Sequence, residues 1–171
     1  MKLAAQRQAL AFVAAAVVAI FGKAQAEPVR FAAVITPKAD ATLNFADGSQ
    51  RAVRLVQREG KVTGDAPVAG ATLLEWGLHD LAPQAGGGDG LGYLVLTQPS
   101  GDIAYLRFQW RAVLGTGADD KPQPLIGGHW EVVGSTGKLR GLTGMGTMRI
   151  NILSPTERQW LFEGDLLQSV R

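Results

Sequence analysis

The sequence contains no cysteine. That excludes disulfides, zinc thiolate sites and cysteine catalysis. Histidine is nearly absent too, with only His79 and His129. A metal site would then need carboxylates spaced around both, and no such cluster exists, so neither a metal nor a cofactor is expected. Charged residues make up only 19 % of the chain, unlike the polar, highly charged composition of disordered proteins. No long segment repeats at the helical period of 3.6 residues.

The first residues read as an address. Lys2 and Arg7 precede an apolar run from Ala9 to Phe21, and Ala24-Gln25-Ala26 follows. A charged start, an apolar middle and small residues at the cleavage positions are the pattern of a secretory signal. The run is 13 residues long, short of the ~18–20 that span a bilayer. No cysteine follows it, so lipoprotein processing is excluded. The expectation is a signal peptide over 1–26, cleavage near Ala26, and one mature domain over 27–171 in the periplasm or outside the cell. Loss of Lys2, Arg7 and Lys23 takes the 17 bases to 14 against 15 acids, a net charge of −1. The bases that remain are scattered, so the footprint of a nucleic-acid partner is missing. The mature chain holds no membrane span.

The mature chain consists of short runs rich in Val, Ile, Leu, Thr and aromatics, each bounded by Gly, Pro, Asp or Ser, as in all-β domains. Strands are expected near Val29–Thr36, Ala41–Ala46, Ser49–Glu59, Ala71–Leu81, Gly92–Gln98, Asp102–Leu114, His129–Ser135, Gly144–Leu153 and Arg158–Leu167. Asp47-Gly48 and Pro99-Ser100-Gly101 read as turns. Gln84–Gly90, with three consecutive glycines, reads as a flexible loop. Gly115–Gly128 holds two prolines and starts too polar for a strand.

Side chains of a strand alternate between faces. Ala104, Leu106, Phe108, Trp110, Ala112 and Leu114 share one face, against Tyr105, Arg107, Gln109 and Arg111. Likewise Thr72, Leu74, Trp76 and Leu78 oppose Glu75 and His79, Trp130 and Val132 oppose Glu131, and Trp160, Phe162 and Leu166 oppose Glu163 and Asp165. Closing these apolar faces inward gives an antiparallel barrel of about eight strands and removes exposed edges.

The segment Gly128-His129-Trp130-Glu131-Val132-Val133-Gly134-Ser135-Thr136-Gly137-Lys138-Leu139-Arg140-Gly141-Leu142-Thr143-Gly144-Met145-Gly146-Thr147 resembles the strand–glycine-turn–strand motif of the allene oxide cyclase and dirigent-like barrel superfamily. Leu139 stands where an aromatic is usual, and Ser135 where a second glycine is usual. Ser100-Gly101-Asp102 before the Trp110 strand, and Trp160-Leu161-Phe162-Glu163-Gly164-Asp165, are similar to flanking parts of that pattern. The resemblance covers roughly residues 98–167. It implies a calycin- or dirigent-like barrel, a capacity to steer a reactive intermediate, and a tendency to oligomerise. None of the family's catalytic residues maps onto this chain, so none is transferred.

Gly134-Ser135-Thr136-Gly137-Lys138 lacks the spacing of a phosphate loop: Val132 and Leu139 stand where that motif needs Gly and Ser or Thr. No Gly-x-Ser-x-Gly elbow marks a serine nucleophile. Glu75, Glu131 and Glu163, together with Arg107, Arg111 and Arg149, read either as cross-strand ion pairs on the solvent side or as an acid–base set at a barrel mouth. Trp76, Phe108, Trp110, Trp130 and Phe162 read either as packed core or as the lining of a cavity for a small apolar or amphipathic ligand. Binding of such a molecule is the functional expectation. The alternatives are a cyclase- or dirigent-like enzyme and a non-catalytic homo-oligomer, a dimer or trimer.

Overall fold

The computed structural model describes residues 26–116 and 120–168. The expected signal peptide therefore lies, apart from Ala26, outside the described residues. The described residues form a closed antiparallel barrel of eight strands in sequence order: β1 (Glu27–Asn44), β2 (Ala52–Gly64), β3 (Thr72–Ala82), β4 (Gly87–Thr97), β5 (Ile103–Thr116), β6 (Pro122–Ser135), β7 (Leu142–Ile152) and β8 (Arg158–Gln168). β8 pairs back onto β1 through Phe31–Phe162 and its neighbours, so no strand is left as an edge. Among the described residues no helix is long and apolar enough to cross a membrane.

Three local expectations are corrected. Val29–Thr36 and Ala41–Ala46 belong largely to one strand, β1, whose register shifts between Pro37 and Ala39. Proline has no N–H to give to a ladder, and a bulge is where a strand tolerates it. The glycine-rich stretch is not a loop beyond Gly86, because Gly87–Gly90 open β4. These glycines are wanted for closeness: a Cβ on Gly87 would fall 2.1 Å from the Ala112 carbonyl oxygen, and one on Gly90 would fall 2.4 Å from the Trp110 ring. β6 starts at Pro122, well inside the expected Gly115–Gly128 loop. Its pairing with β7 reaches only to Ile126, so Pro122 and Pro124 lie where β5 is the paired neighbour.

The core fills the middle and one end of the barrel. Phe31 stacks on Phe162 with ring centroids 4.5 Å apart, and Trp130 meets Phe31 edge-on at 5.6 Å. Phe108 and Trp160 cross at 88°. Trp130 Nε1 donates to the Thr147 carbonyl at 3.0 Å. Each such aromatic buries ~150–250 Å², an upper estimate of about 4–6 kcal/mol apiece at ~25 cal/mol per Å². Ala66 and Val68 of the β2–β3 connection, with Leu139 of the 3₁₀ turn Gly137–Leu139, are buried in the same cluster and close this end. The opposite end, reached by the starts of β2, β4, β6 and β8, is the mouth.

Candidate functional site

The β3 strand faces the other way from the expectation. Leu73, Glu75, Gly77 and His79 point into the barrel, while Trp76 is 52 % exposed and Leu78 is exposed beside it. The reason lies across the strand. Gly77 is the only inward residue of β3 without a side chain, and it leaves the space in which Glu75 and His79 meet. Glu75 is 0 % and His79 3 % exposed, and His79 Nε2 lies 2.9 Å from Glu75 Oε1. A Cβ on Gly77 would come within 2.8 Å of that oxygen and 2.9 Å of that nitrogen. The His79 ring also stands edge-on to Trp110, with centroids 4.9 Å apart.

Two arginines of β2 reach the same region. Arg58 Nη1 lies 3.5 Å from Glu75 Oε2, and Arg54 is paired in register with His79. A third, Arg158, enters from the first position of β8, and its guanidinium donates to the carbonyls of Ser154 at 2.5 Å and Glu157 at 2.9 Å. Burial, then the nearby Arg58 and Arg54 charges, hold Arg158 below the usual arginine range. Three guanidiniums thus surround the mouth of the barrel.

Above the Glu75–His79 pair is a cavity of about 290 Å³. Its polar wall is Arg54, Arg58, Arg158 and His79, and its apolar wall includes Leu81, Trp110, Ala112, Leu114, Ile126, Ile150 and Ile152. Of the five aromatic positions singled out in the sequence, Trp110 lines this cavity, whereas Phe108, Trp130 and Phe162 are packed in the core. Trp76 instead lies in a larger groove of about 620 Å³ on the outer wall, with Leu55, Leu78, Leu91 and Tyr93. That groove has one charged residue, Asp40. The mouth joins an apolar enclosure to several convergent polar groups, the usual make-up of a small-molecule site.

The other expected charge set is mostly structural. Arg107 Nε donates to Glu131 Oε1 at 2.6 Å across β5 and β6, and Glu163 pairs with Arg30 at 3.4 Å rather than with Arg111 or Arg149. The glycine turn is structural as well. Lys138 N–H donates to Asp102 Oδ1 at 3.1 Å, and Ser100 Oγ donates to Asp102 Oδ2 at 2.7 Å. Those bonds, the serine's first, hold the Asp102 carboxyl below its ordinary value.

Sequence reasoning missed Arg54, Arg58 and Arg158; its alternation put Glu75 and His79 on the polar outer face, with a barrel mouth as the other reading for Glu75. A signal was present: Glu75-Trp76-Gly77-Leu78-His79 sets two polar groups on one face around a glycine, and Arg54 and Arg58 repeat that four-residue spacing on β2. Among the described residues no group of three or more His, Asp or Glu is placed to hold a metal.

No protein-family model matches the chain, and no curated protein matches it. Among solved structures, it is similar to a protein with unknown function from the DUF3224 family of Shewanella oneidensis MR-1, at 17 % identity, with a TM-score of 0.48, over 85 % of this chain and 100 % of that one.

Proposed function

We propose that this is an exported barrel, cleaved near Ala26 to a mature domain over 27–171, that binds a small amphipathic molecule in the barrel mouth. The observation that carries the reading is the 290 Å³ cavity, apolar on most of its wall and bounded by His79 and three arginines. The apolar wall would supply affinity and the polar groups orientation. Trp110 is the aromatic of the expected set in position to touch the ligand, and Phe108, Trp130 and Phe162 would support the floor. Intrinsic fluorescence titrations against small lipids and aromatic metabolites test this. A ligand-dependent change that is lost in Trp110→Phe and kept in Trp76→Phe is the expected result. No change with any member of the panel, or a change that follows Trp76, refutes it.

Two other readings have an observation each. A cyclase- or dirigent-like enzyme, as the sequence resemblance implies, is favoured by a buried carboxylate, Glu75, beside Arg58 and His79. Conversion of a captured ligand that stops in Glu75→Gln would establish it, and recovery of the ligand unchanged would not. A homo-oligomer, with a second copy packed face to face, is favoured by the exposed outer-wall set Leu55, Trp76, Leu78, Leu91 and Tyr93, since exposed apolar patches mark interaction sites. Light scattering of the protein and of Trp76→Asp tests it, and a monomer in both rules it out.

A further inference from the structure

We infer that the mouth binds the acidic end of its ligand, and that the ligand is a small apolar monocarboxylate held by Arg54, Arg58 and Arg158. This rests on the reading of the mouth as a binding site and adds the chemistry of what enters it.

A guanidinium carries five N–H donors and accepts nothing. The Arg54 side chain makes no hydrogen bond or ion pair with the described residues, and its Nε is buried without an acceptor. Two indole N–H groups are in the same condition, that of Trp110 on the cavity wall and that of Trp160 in the sealed core. Buried donors are nearly always satisfied, so a mouth with this excess calls for an acceptor from outside the chain.

Glu75 is already engaged by His79 and Arg58. The other nearby carboxylate, Asp40, shares a side recess with Arg54, Arg58 and Arg158 and makes no ion pair with them. Three arginines face two carboxylates, so one positive charge among them stands uncompensated. A single carboxylate balances it, and its two oxygens match the planar fork of arginine. An ammonium would add to the excess.

At ~30 Å³ per water-sized volume, a cavity of about 290 Å³ holds roughly ten non-hydrogen atoms. With the acid at the arginines, the remainder of the molecule lies against Leu81, Ala112, Ile126 and Ile150. Octanoate has the right size and serves as the probe.

Calorimetric titration with octanoate, octanol and octylamine tests the inference. Octanoate is expected to bind at least tenfold more tightly than octanol, with an advantage that shrinks as salt rises, and octylamine more weakly than either. Arg54→Gln should remove the advantage of octanoate over octanol, and Arg54→Lys should restore part of it. Circular dichroism confirms that each variant is folded. Octanol binding as tightly as octanoate, or octylamine more tightly, overturns the anion site and leaves the mouth as a binding site. Failure of all three to bind overturns both readings.

Discussion

Substituting Gly77 by Ala tests the geometry beneath the mouth. The new Cβ would stand 2.8 Å from Glu75 Oε1, 2.9 Å from His79 Nε2 and 3.1 Å from Val56 Cγ2. The first two atoms are the partners of the buried hydrogen bond, so they must move apart. A hydrogen bond to a charged group contributes ~1.5–3 kcal/mol. Against this, alanine restricts the unfolded chain and stabilises by ~0.4–1 kcal/mol where the backbone accepts it. The loss is larger, which leaves a net destabilisation of about 0.5–2.5 kcal/mol by these figures. At ~2–4 °C per kcal/mol for a chain of this size, the melting temperature should fall by about 1–10 °C. Thermal unfolding followed by circular dichroism measures it. The same change in a His79→Leu background should cost less, by ~0.5 kcal/mol or more, because contacting residues are not additive. A Gly77→Ala protein as stable as the parent, or equal costs in both backgrounds, would show that Gly77 does not make room for the Glu75–His79 hydrogen bond.

Arg54→Met should raise the melting temperature of the ligand-free protein. It removes a buried unpaired donor, which costs ~1–3 kcal/mol, and one of three crowded positive charges; an unchanged or lower melting temperature in a differential scan counts against the orphaned guanidinium. Asp102 gives a pH dependence. Its folded value lies below the ordinary 3.8, so it stabilises the fold above that pH and the contribution is lost as pH falls through the folded value. Asp102→Asn should therefore be less stable than the parent at pH 7, with the gap closing in acid below 3.8; a gap that stays constant across melting curves from pH 7 to pH 2 contradicts this.

The barrel was legible in the sequence because alternation is a strong signal where one face is polar. On β5 the charged and amide side chains of Arg107, Gln109 and Arg111 fix the outside, and Ala104 to Trp110 fall inside as expected. On β3 the same rule inverted the strand. Trp76 and Leu78 make the outer face of β3 more apolar than the inner one, and a slip of one residue turns every side chain over. The inward Glu75 and His79 are acceptable because they satisfy one another and Arg58, a compensation between strands that a single strand's pattern does not carry. The glycines of β4 were misread for a related reason. Gly90 looks like a loop residue until Trp110 is known to lie against it. The arginines were hidden because Arg54 and Arg58 lie on β2 and Arg158 begins β8, and only closure of the barrel brings them together.

Whether the barrel mouth or the outer wall receives a small carboxylate is read from the indole N–H resonances of the four tryptophans in a ¹H–¹⁵N spectrum titrated with octanoate. Trp110 lines the mouth, Trp76 lies on the outer wall, and Trp130 and Trp160 are sealed in the core. A saturable shift of the Trp110 resonance, with that of Trp76 unmoved, is the predicted result. A shift confined to Trp76, or four resonances unmoved at saturating octanoate, would contradict it.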